Sequence, residues 1–221
     1  MGYIRYLGHS GFELGIGNII ALIDPFFGTG LKEPAPFPLL KPSLLGKADF
    51  IFLTHEHWDH CDPSAVKEIA ERTSATVVAP SRTLELLELS DRQKVDVVAG
   101  DAFTFKGLDI VVTKAIHPAS LYPVGYILKA PGTFSFYHAG DTYQFAEMVN
   151  INVDYAALPI GGSFTMDPID AANATKLLRA KFIIPIHYNT FSKITQDVDD
   201  FRRRTRGQTL VLRPDQSIDV R

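Results

Sequence analysis

Four side chains able to hold a divalent cation fall within six residues: His55, His57, Asp59 and His60, in the run His55-Glu56-His57-Trp58-Asp59-His60. Imidazole nitrogens and carboxylate oxygens are the donors that zinc and similar borderline ions favour. A catalytic zinc normally keeps three protein ligands and one open position, so four donors in one short run exceed the need of a single ion. The excess points to two adjacent cations. Three more donors, His117, Asp141 and His187, each follow an apolar, strand-like run. Strand ends are where sandwich and α/β folds gather their sites. A loop of plain surface histidines is the bland alternative, but such a loop has no reason to lie between a buried-type strand and a capped helix.

Two such cations, roughly 3.5–4 Å apart, share a water and lower its pKa from about 15.7 toward neutrality. Hydroxide then becomes available to attack an electrophilic carbonyl or phosphorus, and the reaction expected is hydrolysis of an ester, lactone or phosphoester. Asp59 is the residue best suited to orient the hydroxide while it ligates, and exchange of His57 should abolish both metal loading and turnover. Zinc is the default ion from ligand type, with manganese, iron or nickel able to occupy the same donors.

The elements that must position these groups form a strand-rich pattern with helices at intervals. Residues 3–7, 11–14 and 19–23 read as strands, with a hairpin signal at Gly15-Ile16-Gly17-Asn18. Residues 28–42 carry Pro34, Pro36, Pro38 and Pro42 and are expected to be neither helix nor strand. Residues 50–53 are a buried-type strand. In extended chain, residues two apart point the same way, so His55, His57 and Asp59 should face one pocket while His60 turns off the strand end. Asp62 then caps a helix with Pro63 at its first position.

Further strands are expected over 76–79, 95–98, 103–105, 110–113, 126–129, 134–137, 153–158, 182–186 and 209–212. Helices are expected from a Ser81 cap through Glu88, from an Asp167 cap to about Arg179, and over 197–204. Strand blocks punctuated by helices, occurring twice, predict two sheets back to back with helices outside: an α/β sandwich in a single domain spanning 1–221.

Bulk properties narrow the function classes. The chain has 221 residues, a formal net charge of −3 and a pI of about 6.1, so no global basic field attracts nucleic acid or anionic lipid. Arg202, Arg203, Arg204 and Arg206 form the one tight basic run and read as a solvated helix face. Cys61 is the sole cysteine, which excludes an intrachain disulfide. The first residues lack the basic segment and apolar core of a signal peptide, and no apolar stretch approaches the ~20 residues of a bilayer span. A cytoplasmic protein acting on a small molecule is expected. The sequence is silent on homo-oligomer formation.

These residues resemble the five signature motifs of the metallo-β-lactamase superfamily, over nearly the whole chain. Ile23-Asp24-Pro25 is similar to the first motif, the 55–60 block to the second, His117 to the third, Asp141 to the fourth and His187 to the fifth. More narrowly, Leu7-Gly8-His9-Ser10, Tyr137-His138-Ala139-Gly140-Asp141-Thr142, the run from Ile160 to Pro168 and Ile184-Pro185-Ile186-His187-Tyr188 resemble small metal-dependent hydrolases related to ascorbate-6-phosphate lactonases. The resemblance implies a four-layer αββα sandwich. It also implies one metal on His55, His57 and His117, a second on Asp59, His60 and His187, and Asp141 bridging both. Pro118 stands where the family has a small hydroxyl residue.

Five further residues are candidates for supporting or substrate-binding roles. Asp24, with Thr54, is placed to hold imidazole N–H groups or the metal loop. His9 and His138 are either hydrogen-bonded histidines of the interior or groups near the site. Gly161 and Gly162 allow close backbone approach to a substrate, or simply turn between strand and helix. Two other readings stand beside the hydrolase: a phosphodiesterase or nuclease acting on nucleic acid, which the charge balance disfavours, and a non-catalytic metal-binding protein that retains the fold.

Overall fold

The computed structural model describes residues 2–28, 30–37 and 39–220, so Pro38 of the proline-rich run lies outside the described residues. The first sheet is built from β1 (Gly2–Gly8), β2 (Gly11–Ile16), β3 (Ile19–Ile23), β4 (Phe50–Phe52), β5 (Thr76–Ala79) and β6 (Lys94–Asp96). The second comprises β7 (Ala102–Phe105), β8 (Leu108–Lys114), β9 (Val124–Lys129), β10 (Ser135–His138), β11 (Asn152–Pro159) and β12 (Arg179–Ile186). A last strand, β13 (Ser217–Val220), returns to the first sheet beside β1, giving seven strands in order 13-1-2-3-4-5-6 against six in order 12-11-10-9-8-7. Helices are α1 (Pro63–Thr73), α2 (Ser81–Leu84), α3 (Pro168–Ala174) and α4 (Val198–Arg204).

Alternation along the strands generates the layers. In β4, Phe50 and Phe52 enter the core between the sheets, where they meet Leu108, Ile110, Tyr126 and Leu128 of the second sheet. Ile51, between them in sequence, points the other way and joins Val66, Ile69 and Ala70 of α1. The second sheet does the same: Tyr155 and Ala157 of β11 face the inter-sheet core, while Ala156 and Leu158 pack with Ala171 and Ala174 of α3 and Phe201 of α4. Period-two side chains thus produce three apolar layers and the four-layer αββα sandwich. Among the described residues no helix is long and apolar enough to cross a membrane.

Local signals hold at several points. The Asp62 carboxylate accepts from the N–H groups of Ser64 and Ala65, with Pro63 opening α1. Asp167 does the same for Ile169 and Asp170 at the start of α3. Gly17, at φ +64°, allows the tight turn that pairs Ile16 with Ile19.

Four expectations need correction. The helix at Ser81 ends at Leu84, and Ser81 is not its cap. Beyond it the chain continues in i→i+3 bonds that bring Leu84 and Leu87 into the α1 layer. α3 likewise stops at Ala174: the next bonds, from Lys176 N–H to the Asn173 carbonyl and from Leu177 N–H to the Ala174 carbonyl, are i→i+3, and Arg179 N–H then pairs with the Ile151 carbonyl at the start of β12. Residues 209–212 make only a single bridge, Thr209 with Ile183. The closing strand is β13, whose Ile218 and Val220 pack on the inter-sheet core. Finally, the chain from His55 to His60 is not extended: it leaves β4 at Phe52 and folds into a turn in which the His57 carbonyl accepts from the N–H groups of His60 and Cys61.

Candidate metal centre

All the candidate donors lie at one rim of the sandwich, on segments that follow strands. Asp24 follows β3 and the 55–60 turn follows β4, two parallel neighbours. His117, Asp141 and His187 follow β8, β10 and β12, and His9 follows β1. The rim needs sharp turns, and three non-glycine residues there take the left-handed conformation: His9 (φ +56°), Asp24 (φ +41°) and His187 (φ +54°). Such residues cost about 1–3 kcal/mol each and gather at functional sites.

The donors sort into groups whose ligand atoms lie within 4.8 Å of one another: His55, His57 and His117; His9, Asp59, His60 and His187; and His55, His60 and Asp141. In the first group, the Nδ1 of His57 is 3.0 Å from His55 Nε2 and 3.2 Å from His117 Nε2. The outer nitrogens have partners that fix where the protons are. His57 Nε2–H donates to the Ala119 carbonyl and His117 Nδ1–H to the Phe164 carbonyl, both at 3.1 Å. Thr54 Oγ1 donates to Asp24 Oδ2 at 2.6 Å and therefore accepts from His55 Nδ1–H at 3.0 Å. Each imidazole thus keeps its proton outside and turns a lone pair inward. Three inward lone pairs at hydrogen-bond distance, with no proton between them, make a tripod for a cation. Burial, with neighbouring imidazoles adding to it, holds His55 well below its ordinary pKa and lowers His117, which keeps these lone pairs available.

The second group is rich in negative charge. His60 Nδ1–H donates to Asp24 Oδ2 at 2.7 Å, leaving Nε2 buried, 3.3 Å from Asp141 Oδ1. Neither of those two atoms has a hydrogen-bond partner among the described residues. His187 Nε2 lies 3.1 Å from Asp141 Oδ2 and 3.5 Å from Asp59 Oδ2. Burial alone would depress both imidazoles. The Asp141, Asp24 and Asp59 carboxylates overcome it at His60, raising it well above its ordinary range, and Asp141 with Asp59 raises His187 to about 9. Their imidazoles in turn hold Asp59 and Asp141 far below the ordinary carboxylate range, against a burial that pushes the other way. A cluster that draws in protons so strongly is one whose donors fit a cation. Asp141 Oδ2 stands between the groups, 4.0 and 3.9 Å from the Nε2 atoms of His55 and His117.

The fold therefore brings together all seven predicted donors, and the turn rather than strand alternation does it. Asp24 is a supporting residue, accepting from Thr54 N, Thr54 Oγ1 and His60. His9 is drawn in as well: its Nε2 is 3.2 Å from Asp59 Oδ2 and its Nδ1 is 3.0 Å from Thr190 Oγ1. His138 stands apart, fully buried, donating through Nε2 to the Ser10 carbonyl and accepting the Gly140 N–H on Nδ1. It braces the turn that carries Asp141. Gly161 packs on the ligand strand: a Cβ there would lie 2.3 Å from the His187 carbonyl oxygen and 3.0 Å from its Nδ1. Gly162, at φ +84°, forms the following turn. Neither glycine is among the residues lining the cavity.

That cavity, of about 500 Å³, opens onto the donors. His57, Asp59, His117, Asp141 and His187 form its floor, and Leu31, Trp58, Phe164 and Phe191 supply apolar wall. Glu56 is a supporting residue that sequence reasoning missed, although it sits inside the motif. Its carboxylate accepts from Ser120 Oγ at 2.8 Å and Leu121 N at 3.2 Å, holding the loop whose Ala119 carbonyl orients His57. The Ala119 and Phe164 carbonyls are main-chain groups with no side-chain signal to find.

Comparison with known proteins places this arrangement in context. Residues 3–187 match the family model described as Beta-lactamase superfamily domain. A UPF0173 metal-dependent hydrolase of Caldivirga maquilingensis is 37% identical over 93% of this chain and 90% of its own. A metal-dependent hydrolase of Thermococcus kodakarensis is 35% identical over 98% and 99%. Among solved structures, a metallo hydrolase from the archaeon Ignicoccus hospitalis superposes with a TM-score of 0.84 at 32% identity, covering 98% of this chain and 97% of the other.

Proposed function

The chain belongs to the Beta-lactamase superfamily domain family and is a metal-dependent hydrolase, and from that premise we propose that it hydrolyses a small ester, lactone or phosphoester at two divalent cations, zinc by default. The observation that carries this reading is the division of the donors. His55, His57 and His117 converge as a tripod of imidazoles, Asp59, His60 and His187 converge beside it, and Asp141 lies within reach of both.

When bound, the cations supply the Lewis acidity that makes a water ionisable near neutral pH and polarises the scissile bond. The chain's own groups do the rest. Asp24 fixes His60 and, through Thr54, the His55 ring, while the Ala119 and Phe164 carbonyls fix His57 and His117. Asp59 is on the cavity floor with Oδ2 beside His9 Nε2, a position suited to orient the attacking water. Hydrolysis adds that water across the scissile bond: the acyl carbon or phosphorus takes the OH, and the departing oxygen takes the H. A cavity of about 500 Å³ is the size of a small-molecule site.

Metal analysis of the purified protein, paired with a screen of aryl esters, lactones and bis-4-nitrophenyl phosphate, tests the proposal. Two cations per chain are expected, with turnover of at least one class lost on chelation and restored by zinc or manganese. His57→Ala should lose metal and turnover together. Full metal occupancy without turnover of any class would instead make this a metal-binding protein that keeps the fold.

A further inference from the structure

Two walls of the cavity differ in character from its floor. On one side Trp58 and Phe191 stand with ring centroids 6.0 Å apart, and the Phe164 ring, which also lines the cavity, carries the Lys193 ammonium 6.0 Å from its centroid. Trp58 and Phe164 are 43% and 40% exposed, high for large aromatic groups, and both expose that surface where the cavity is. A flat apolar ligand gains there the area that the folded chain leaves wet.

Lys193 is the charged end of this surface. Among the described residues no carboxylate pairs with it, whereas Glu33, the cavity's carboxylate outside the donor cluster, accepts from Ser192 Oγ at 2.8 Å. The base of the lysine is anchored, because its own carbonyl accepts from Ser163 Oγ at 2.6 Å. With its main chain held and its ammonium unpaired over an aromatic face, Lys193 presents a point charge to whatever fills the space. Lys32 adds a second cation to the same lining. Against Lys193 and Lys32 the wall sets one carboxylate, Glu33, so it carries a net positive charge and favours an anion.

We propose that the substrate of this site carries, beside its scissile bond, a flat apolar or aromatic body held by Trp58, Phe164 and Phe191 and a separate anionic group held by Lys193. The assignment rests on the hydrolytic reading above and adds the ligand class to it. It separates this protein from one acting on neutral aliphatic esters, for which the ammonium has no use.

Trp58 is the single tryptophan of the chain, so its emission reports on the cavity directly. The test titrates the metal-loaded protein with 4-phenylbutyrate, which has the flat body and the anion but no hydrolysable bond, and in parallel with its neutral amide and with butyrate. The acid is expected to perturb Trp58 emission at concentrations about tenfold or more below the amide, as a charge-assisted contact implies. Butyrate should be weaker than 4-phenylbutyrate by a comparable factor. Lys193→Met should erase the preference for acid over amide, Lys193→Arg should keep most of it, and Phe164→Ala should weaken acid and amide alike. Equal binding of acid and amide, or an undiminished preference in Lys193→Met, overturns the assignment, the latter because the carboxylate would then be held by the cations alone. Turnover of phenyl acetate by the wild-type protein keeps the two readings apart. Turnover without the charge preference removes the ligand class alone, and the preference without turnover of any ester removes hydrolysis alone.

Discussion

The main-chain N–H of His187 donates to the main-chain carbonyl of His9 at 2.9 Å, and both residues hold left-handed backbone angles. This bond ties the end of β12 in one sheet to the end of β1 in the other. The two rings lie tilted against each other with centroids 4.5 Å apart, and reach the same oxygen of Asp59, at 3.5 and 3.2 Å. The junction of the sheets and the second donor group are therefore one structure. Anything that shifts the His187 main chain must move a donor.

Gly161 gives the sharpest probe of that coupling. A methyl group there would sit 2.3 Å from the His187 carbonyl oxygen, a main-chain atom with no easy escape. Gly161→Ala is expected to fold, with metal affinity lowered by about 10–100-fold, the range seen when a ligand's support is lost. Chelator competition measures this, and unchanged affinity would mean the His187 strand end is more pliable than its packing implies.

Asp24 supports both donor groups at once. Its carboxylate accepts from Thr54 N, Thr54 Oγ1 and His60 Nδ1, and all three residues are buried. Asp24→Ala leaves those donors unpaired, at about 1–3 kcal/mol for each buried group. Thermal unfolding should show a large drop, and metal content should fall at both positions rather than one. Loss confined to a single ion would show that Thr54 holds His55 without help.

The pH dependence of the metal-free protein follows from His187. Its folded pKa is raised from 6.5 to about 9, because Asp141 and Asp59 outweigh its burial. A raised folded value means the protonated form is favoured by folding, so that stabilisation is complete below about 6.5 and disappears as pH rises through about 9. Chelator-treated protein should lose thermal stability across that window, and His187→Asn should flatten the loss. Metal uptake near pH 7.5 must displace the same protons, which calorimetry in buffers of different ionisation enthalpy detects. Uptake with no proton release would contradict the assignment of charge within the cluster.

Cys61 follows the motif but belongs to the α1 layer, where it is 1% exposed. Burial, with Asp24 and Asp62 adding to it, pushes the thiol up to about 12. Thiol reagents at pH 8 should leave the native protein unlabelled and label one residue after denaturation. Labelling of the folded chain would show that the turn after His60 opens.

Phe52 tests the layer beneath the site. It is fully buried between the sheets and packs on Tyr126 with centroids 5.1 Å apart. Phe52→Ala is expected to cost about 3–5 kcal/mol in denaturant unfolding. A cost below about 1 kcal/mol would mean the sheets close over the gap.

Much of this protein is legible in the order of its residues. Donor types clustered between a buried strand and a capped helix announce a metal site, because few other arrangements use four such groups in six residues. Strand alternation announces two faces per strand and hence layers, and the Asp-Pro pairs at 62–63 and 167–168 mark helix starts by hydrogen-bond chemistry that is local. What sequence could not fix is where short elements stop and which edge they find. Residues 209–212 carry the stronger strand propensity, yet it is 217–220 that find the open edge of β1 and become the strand.

The site divides the same way. Residue type and spacing determined that His55, His57, Asp59 and His60 could bind a cation, since donor chemistry belongs to the side chain itself. How they share the work was decided by the fold. A turn, not an extended strand, sends His57 toward His117 and leaves Asp59 and His60 toward His187. The inward lone pairs depend on the Ala119 and Phe164 carbonyls, 62 and 47 residues from the histidines they orient. Direction, protonation and cavity wall are properties of contacts between distant segments, and a linear sequence does not carry the distances that set them.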